Sequence, residues 1–365
     1  DLKLRVGYGV TGSTAISPYS TQNTLESVNV VFDKTTTVGY APKNTYLGDL
    51  RWETTGQWNV GLDLALLNNR IRLTADYYHK KTTNLLNDVE MPRSSGYTTA
   101  LRNVGAIRNA GVELQLDTRI IDKAVKWDFG VNLSVNRSKV LSLSNTIISD
   151  QLNLMRIGEP MYVFYGYVEE GYDDNGQLVY KDLDGSDGIT PADKTIIGNP
   201  NPDCLLNFNT AVSYKGFTLS AFFQGSIGND IYSLSMASAA YDYSSNANTL
   251  REVLYNHWTP EKPDAKYPNL RQDIALKMSD RFVYDGSYMR LKNLELSYNI
   301  PCSKSRVISK ARVYVSAQNL WTITSYPFWD PDVNAKGGST SLAQGIDASC
   351  YPGARTFTLG CRLVF

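Results

Sequence analysis

The chain has 365 residues, enough for one large domain or two smaller ones, and its 36 basic residues balance 36 acidic ones, which leaves no electrostatic case for nucleic acid or for anionic lipid. Aromatics make up 11%, with 24 Tyr, 11 Phe and 6 Trp, which is the composition of strands and loops rather than of helices. No stretch approaches the ~18 uninterrupted apolar residues of a membrane-spanning helix, whereas a β-barrel, whose strands alternate between lipid and lumen, fits the slightly negative mean hydropathy of −0.29.

From the start, Asp1 leads directly into strand-like Leu2 to Tyr8 with nothing resembling a signal peptide, so further residues are expected upstream. Period-two alternation then recurs in segments of about ten residues, the length a tilted strand needs to cross a bilayer. Trp58, Val60, Leu62, Leu64 and Leu66 alternate with Asn59, Gly61, Asp63 and Ala65. After a turn at Asn68-Asn69 the pattern resumes with Ile71, Leu73, Ala75 and Tyr77, the second arm of a hairpin. Val112, Leu114 and Leu116, followed by Trp127, Phe129, Val131, Leu133 and Val135, make a second hairpin. Leu206 to Tyr214 and Phe217 to Phe223, joined at Lys215-Gly216, make a third.

Later strands run through Leu294, Leu296, Tyr298 and through Val313, Val315, Ala317. The last segment places Phe357, Leu359, Cys361, Leu363 and the terminal Phe365 on one face, the pattern outer-membrane barrels present to their assembly machinery. The fold class is therefore all-β, a transmembrane antiparallel barrel portion of roughly ten to twelve strands. A soluble sandwich also alternates, but need not collect its long loops on one side.

Such barrels have short periplasmic turns and long extracellular loops. With the last strand running down, 12–56, 84–109, 140–204, 228–287 and 325–355 fall outside, while 68–69, 122–125, 215–216 and 301–310 fall inside. Between Val140 and Leu205 parity permits either no crossing or two, and the aromatic run Met161 to Tyr167 with Gln177 to Tyr180 is either a further strand pair or an extracellular hairpin.

Several stretches, taken together, resemble the C-terminal half of SusC-like (RagA-like) TonB-dependent transporters. They are Leu4 to Gly12, Asn103 to Gly105 followed by Asn109 to Leu114, Ile157 to Pro160, Ile197 to Asp203, Asp285 to Leu294 and Ser316 to Thr324. The resemblance implies the later strands of a barrel of about 22 strands in the outer membrane, filled by an N-terminal plug that is absent from this chain. It also implies drive by the TonB complex and capture of a bulky nutrient with a SusD-like surface lipoprotein. Oligosaccharide is the leading ligand, peptide the alternative, and a surface-binding barrel without transport the rival from another class. No enzymatic role is expected: Asp63, Glu113, Asp117 and Glu295 should face the lumen, and nothing in their spacing suggests an acid and base pair.

Candidate sites follow from residue type. Phe328 and Trp329 beside Asp330, and Tyr241 and Tyr243 in the loop of about sixty residues, suit stacking on sugar faces with a carboxylate to accept hydroxyl hydrogen bonds. The stretch Asp182 to Asp193 sets oxygens of Asp182, Asp184, Ser186 and Asp193 at positions one, three, five and twelve, as in an EF-hand calcium loop. It departs from that pattern with Asp187 where the sharp turn wants Gly and with Asp rather than Glu at position twelve. The alternative is an Asp-rich turn held by side-chain to backbone hydrogen bonds. Calcium is thus the one cofactor to consider, and none is required. The four cysteines, Cys204, Cys302, Cys350 and Cys361, lack metal spacing; Cys204 with Cys350 is the pairing the loops permit, and free thiols are the alternative.

Overall fold

The computed structural model describes the chain apart from residues 14–21, 23, 43–49, 96, 98, 145, 150–151, 242–247, 271–275, 303–306 and 336–343, and gives the backbone alone for 42, 87–88, 90, 93, 99 and 147–149. Ten strands form one sheet: β1 (Leu2–Ser13), β2 (Glu53–Leu66), β3 (Ile71–Glu90), β4 (Thr99–Asp122), β5 (Val125–Leu143), β6 (Cys204–Tyr214), β7 (Phe217–Ile227), β8 (Tyr288–Ile300), β9 (Lys310–Thr324) and β10 (Thr356–Val364). Each pairs antiparallel with its sequence neighbour, and β1 and β10 are the sheet edges. Consecutive connections therefore alternate between the two ends of the sheet, and the long ones share one end. At the other end the turns are tight: Lys215 (φ 47) and Gly216 (φ 88) both take the left-handed conformation of a two-residue hairpin turn.

Register turns the alternation into rows. Trp127, Val212, Leu219, Leu296, Val315 and Leu359 lie directly opposite one another from β5 to β10. On the other face Lys3, Asp63, Thr74, Gln115, Asn132, Asn207, Gln224, Arg290 and Thr322 form a polar row from β1 to β9. The apolar row stands clear of protein contact, with Leu296 and Val315 about half exposed and Leu359 80% exposed. Apolar surface left open on this scale marks a face that meets lipid.

Two regions differ from the sequence-based expectation. The expected loop 84–109 is mostly strand, because β3 continues to Glu90 and β4 begins at Thr99. Between Leu143 and Cys204 no strand of the described residues joins the large sheet. The aromatic run instead forms Val163–Gly166, paired with Thr195–Gly198 and Asn153–Met155, while Glu169–Tyr172 pairs with Leu178–Tyr180. The first long connection carries a separate hairpin, Leu25–Phe32 with Thr35–Pro42.

The buried core lies outside the sheet, in a cap made by three connections: 144–203, 228–287 and 325–355. Leu152 and Phe164 from the first meet Tyr232, Met236, Ala240, Tyr241, Val253, Tyr267 and Phe282 from the second and Ile346 from the third. Helices α1 (Leu234–Tyr241) and α2 (Arg251–Asn256) belong to this cap. Strand Asp230–Ser233 joins the second and third connections by pairing with Val283–Asp285 and with Ile346–Asp347.

Candidate functional site: a polar wall beneath a loop cap

The polar face of β1 to β4 is organised by Arg5. Its guanidinium donates to Asp63 at 2.8 and 3.0 Å and to Asp76 at 3.1 Å. Gly61, opposite Arg5 in the register, makes this possible, since a Cβ there would lie 2.7 Å from the Arg5 guanidinium carbon and closer still to Asp76 Oδ1. Around this bridge Gln57, Asn59, Tyr78, Lys80, Asn109 and Glu113 line a concavity of about 720 Å³.

Nearer the tight-turn end a second concavity of about 400 Å³ gathers Arg70, Arg72 and Arg119 with Asp117, Asp122 and Asp128. Arg119 pairs with Asp128 at 2.8 Å, and Arg312 pairs with Glu295 while reaching Ser297 at 2.8 Å. All four carboxylates expected on this face are on it: Asp63 bridges to Arg5, Glu113 and Asp117 line the concavities, and Glu295 meets Arg312. Charges here are largely compensated within the wall, which leaves hydroxyl, amide and phenol groups to meet a polar solute.

In the cap, Phe328 and Trp329 stack with centroids 4.9 Å apart and planes 19° from parallel, and Trp329 is 63% exposed. Asp330 departs from expectation because it is buried. It pairs with the buried Arg290 guanidinium and accepts the backbone N–H of Asp332 at 2.9 Å and of Gly353 at 3.1 Å. Burial pushes its pKa up, but these donors and the arginine outweigh that and leave it below the usual carboxylate range. The carboxylate is consumed in fastening the connection 325–355 to β8.

Tyr241 is likewise interior, with its ring 5.2 Å from Phe282 and 5.5 Å from Tyr267 and its hydroxyl 3.2 Å from Arg281. Tyr243 lies outside the described residues. Arg281 was not foreseen in the sequence, although it pairs with Glu169 and lies between the Tyr172 and Tyr241 rings, joining two connections.

Carboxylate oxygens of Asp182, Asp184 and Asp193 lie within 4.8 Å of one another, a set that could hold a cation. Yet Asp193 is fully buried and already engaged: Oδ1 accepts the N–H of Leu183 at 2.8 Å and of Asp184 at 3.2 Å, and Oδ2 that of Thr190 at 2.7 Å. These bonds hold its pKa down at about 2. Asp182 accepts from Gly185 at 2.6 Å, and Asp184 accepts from the Ser186 N–H at 2.8 Å. The four cysteines are all free. On β10, Phe357, Leu359 and Leu363 stand exposed on the apolar face, with Phe365 exposed just beyond the strand.

A sheet apolar on one face, polar on the other and capped at one end is what comparison with known proteins finds again. A match to the family described as TonB dependent receptor-like, beta-barrel, covers residues 1–320. The chain belongs to that family. TonB-dependent receptor P3 of Formosa agariphila is 34% identical over the whole chain, and TonB-dependent receptor SusC of Bacteroides thetaiotaomicron is 30% identical. The solved RagAB peptide transporter covers the whole chain with a TM-score of 0.84 at 27% identity. The chain spans about two-fifths of these relatives: 39% of P3, 38% of SusC and 40% of the RagAB chain. Membership places the chain in the outer membrane as part of a β-barrel, in a family of receptors and not of enzymes. The apolar rows are its lipid-facing belt and the polar wall lines its interior.

Proposed function

We propose that the chain is the C-terminal barrel portion of a TonB-dependent importer. Its capped end faces outward, and it admits a bulky nutrient captured together with a SusD-like surface lipoprotein. The reading rests on one arrangement: a charge-compensated polar wall with a concavity of about 720 Å³, and, at the end of the sheet where the long connections gather, a cap that exposes Trp329 stacked on a half-buried Phe328. The proposed drive comes from the TonB complex acting on a plug outside this chain.

Oligosaccharide is the proposed ligand, because the flat exposed ring of Trp329 suits the apolar face of a sugar and the hydroxyl and amide groups of the wall suit its hydroxyls. Peptide is the second reading, favoured by the likeness to the RagAB peptide transporter. The test is uptake of labelled oligosaccharides and of labelled peptides by cells carrying the complete protein, with and without the proton-motive force, alongside capture of what co-purifies. Energy-dependent uptake with a lipoprotein in the eluate supports the importer. Binding without energy-dependent entry would replace it with a surface-binding barrel.

A further inference from the structure

The outer face of β3, β4 and β5 changes character at one height. In the row Val6, Val60, Tyr77, Val112, Val135 every side chain is apolar or aromatic. Four residues further toward the cap, the same face presents Lys81 opposite Arg108 and Arg108 opposite Lys139. That these point outward follows from the pleat, since Lys80 and Asn109, their neighbours in sequence, line the interior concavity.

All three cations are exposed, and none has an ion-pair partner among the described residues. The adjoining Arg137 is committed to Asp203 at 2.8 Å. Like charges directly opposite across a sheet destabilise it, so the row wants an anion.

Height says where that anion comes from. Ten residues separate Ile71, at the tight-turn end of β3, from Lys81. At ~3.3 Å per residue and a tilt of ~40° the rise is about 25 Å, the height of a barrel's apolar band. Between the apolar row and the cations lie Tyr8 and Trp58, with centroids 4.6 Å apart and planes tilted by 38°, an aromatic pair of the kind that sits at headgroup level. At this height β3 pairs with β2 at Gly56, and beside Lys139 the neighbour of β5 is the cap segment Gly158–Glu159, whose backbone bonds Val140 at 2.9 Å.

We propose that Lys81, Arg108 and Lys139 hold the phosphate group of an anionic glycolipid of the outer leaflet. This rests on the outward orientation of the cap proposed above. A phosphate monoester carries up to two negative charges and three acceptor oxygens, enough for two ammonium groups and one guanidinium. The chain's balanced total charge conceals the patch, because a sum carries no information about placement.

The test titrates the delipidated complete protein in detergent with a phosphorylated glycolipid, with the same lipid dephosphorylated, and with inorganic phosphate, read by native mass spectrometry. The phosphorylated lipid is expected to bind about a hundredfold tighter than the dephosphorylated one, roughly fivefold for each cation. Lys81→Gln, Arg108→Gln and Lys139→Gln together are expected to abolish that preference. Should the triple variant not insert, Arg108→Gln alone is expected to cut it about fivefold, while Lys81→Arg with Lys139→Arg keeps it.

Equal binding of the two lipids, or a preference that survives the triple variant, overturns the site. Tighter binding of inorganic phosphate than of the glycolipid assigns the cations to a soluble anion and overturns the lipid. Surface labelling of Lys34→Cys in intact cells checks the orientation separately, since Lys34 lies in the hairpin beyond β1. Labelled cells together with no lipid preference discard the patch while leaving the importer standing.

Discussion

Replacing Asp330 by alanine should unfasten the connection 325–355 and leave the barrel intact. The side chains of Arg290 and Asp330 are 5% and 10% exposed, so the substitution strands a guanidinium away from water, a loss of about 3–5 kcal/mol. The lower end applies, because Arg290 keeps Thr322 at 2.9 Å and has Asp332 at 3.8 Å to turn to. The N–H groups of Asp332 and Gly353 lose their acceptor as well, at about 1 kcal/mol each if water does not reach them.

Three kcal/mol is about a hundredfold in the population of the open form. Hydrogen exchange followed by mass spectrometry on the complete protein should therefore show amides in 325–335 and 346–355 exchanging about a hundredfold faster, with β8 and β9 unchanged. Arg290→Met combined with Asp330→Ala should recover part of the protection, because the stranded charge is gone. Unchanged exchange in the single variant, or loosening spread evenly over the sheet, would refute the assignment of Asp330 as the fastener.

Four shorter expectations accompany it. Leu296→Arg places a charge in the lipid-facing row and should lower barrel stability by about 2–4 kcal/mol near mid-bilayer, measured by folding into vesicles, while Asn132→Arg, at an exposed position of the polar face, should cost far less. The depressed pKa of Asp193 means its contribution is complete above the ordinary carboxylate value and is lost as pH falls through about 2. Pepsin should accordingly spare 182–193 at pH 3 and cut it readily below pH 2. Because Asp193 is satisfied by three backbone N–H groups, calcium chelation at pH 7 should leave protease resistance of this loop unchanged; a loss of resistance that Asp184→Asn abolishes would instead assign a calcium to Asp182 and Asp184. Trp329→Ala should weaken ligand capture roughly three- to tenfold while leaving cap exchange unaltered, since the ring is exposed.

What could be read in advance depended on the solvent at each face. Where one face meets lipid and the other water, alternation is enforced, and the hairpins at Asn68-Asn69 and Lys215-Gly216 appear in the sequence as they appear in the fold. Beyond the bilayer neither face of a strand meets lipid, the pattern lapses, and β3 and β4 run on through the buried Thr82 and Ala106 where a loop was expected. The run Met161 to Tyr167 is apolar without alternation because Val163 and Phe164 are both buried, one on each side of a small sheet.

Candidate residues were chosen by type, and type does not report burial. Trp329 proved exposed, whereas Tyr241 and Asp330 are spent on holding the cap together. Their partners, Arg281 and Arg290, carried no signal of their own, since an arginine in a strand or loop reads the same whether it faces water or a buried carboxylate.

The separation of the buried core from the membrane belt gives one chain two standards of acceptable change. Lipid tails are a fluid that conforms to whatever outline meets them, so at Leu219, Leu296 or Val315 almost any apolar side chain should serve, and only polarity is policed. Inside the cap, Tyr232, Tyr267 and Phe282 fit one another as solids do, and there a single misplaced methylene is felt. The rim of the barrel is thus a boundary between a region that can drift freely among greasy residues and one that must keep its shape.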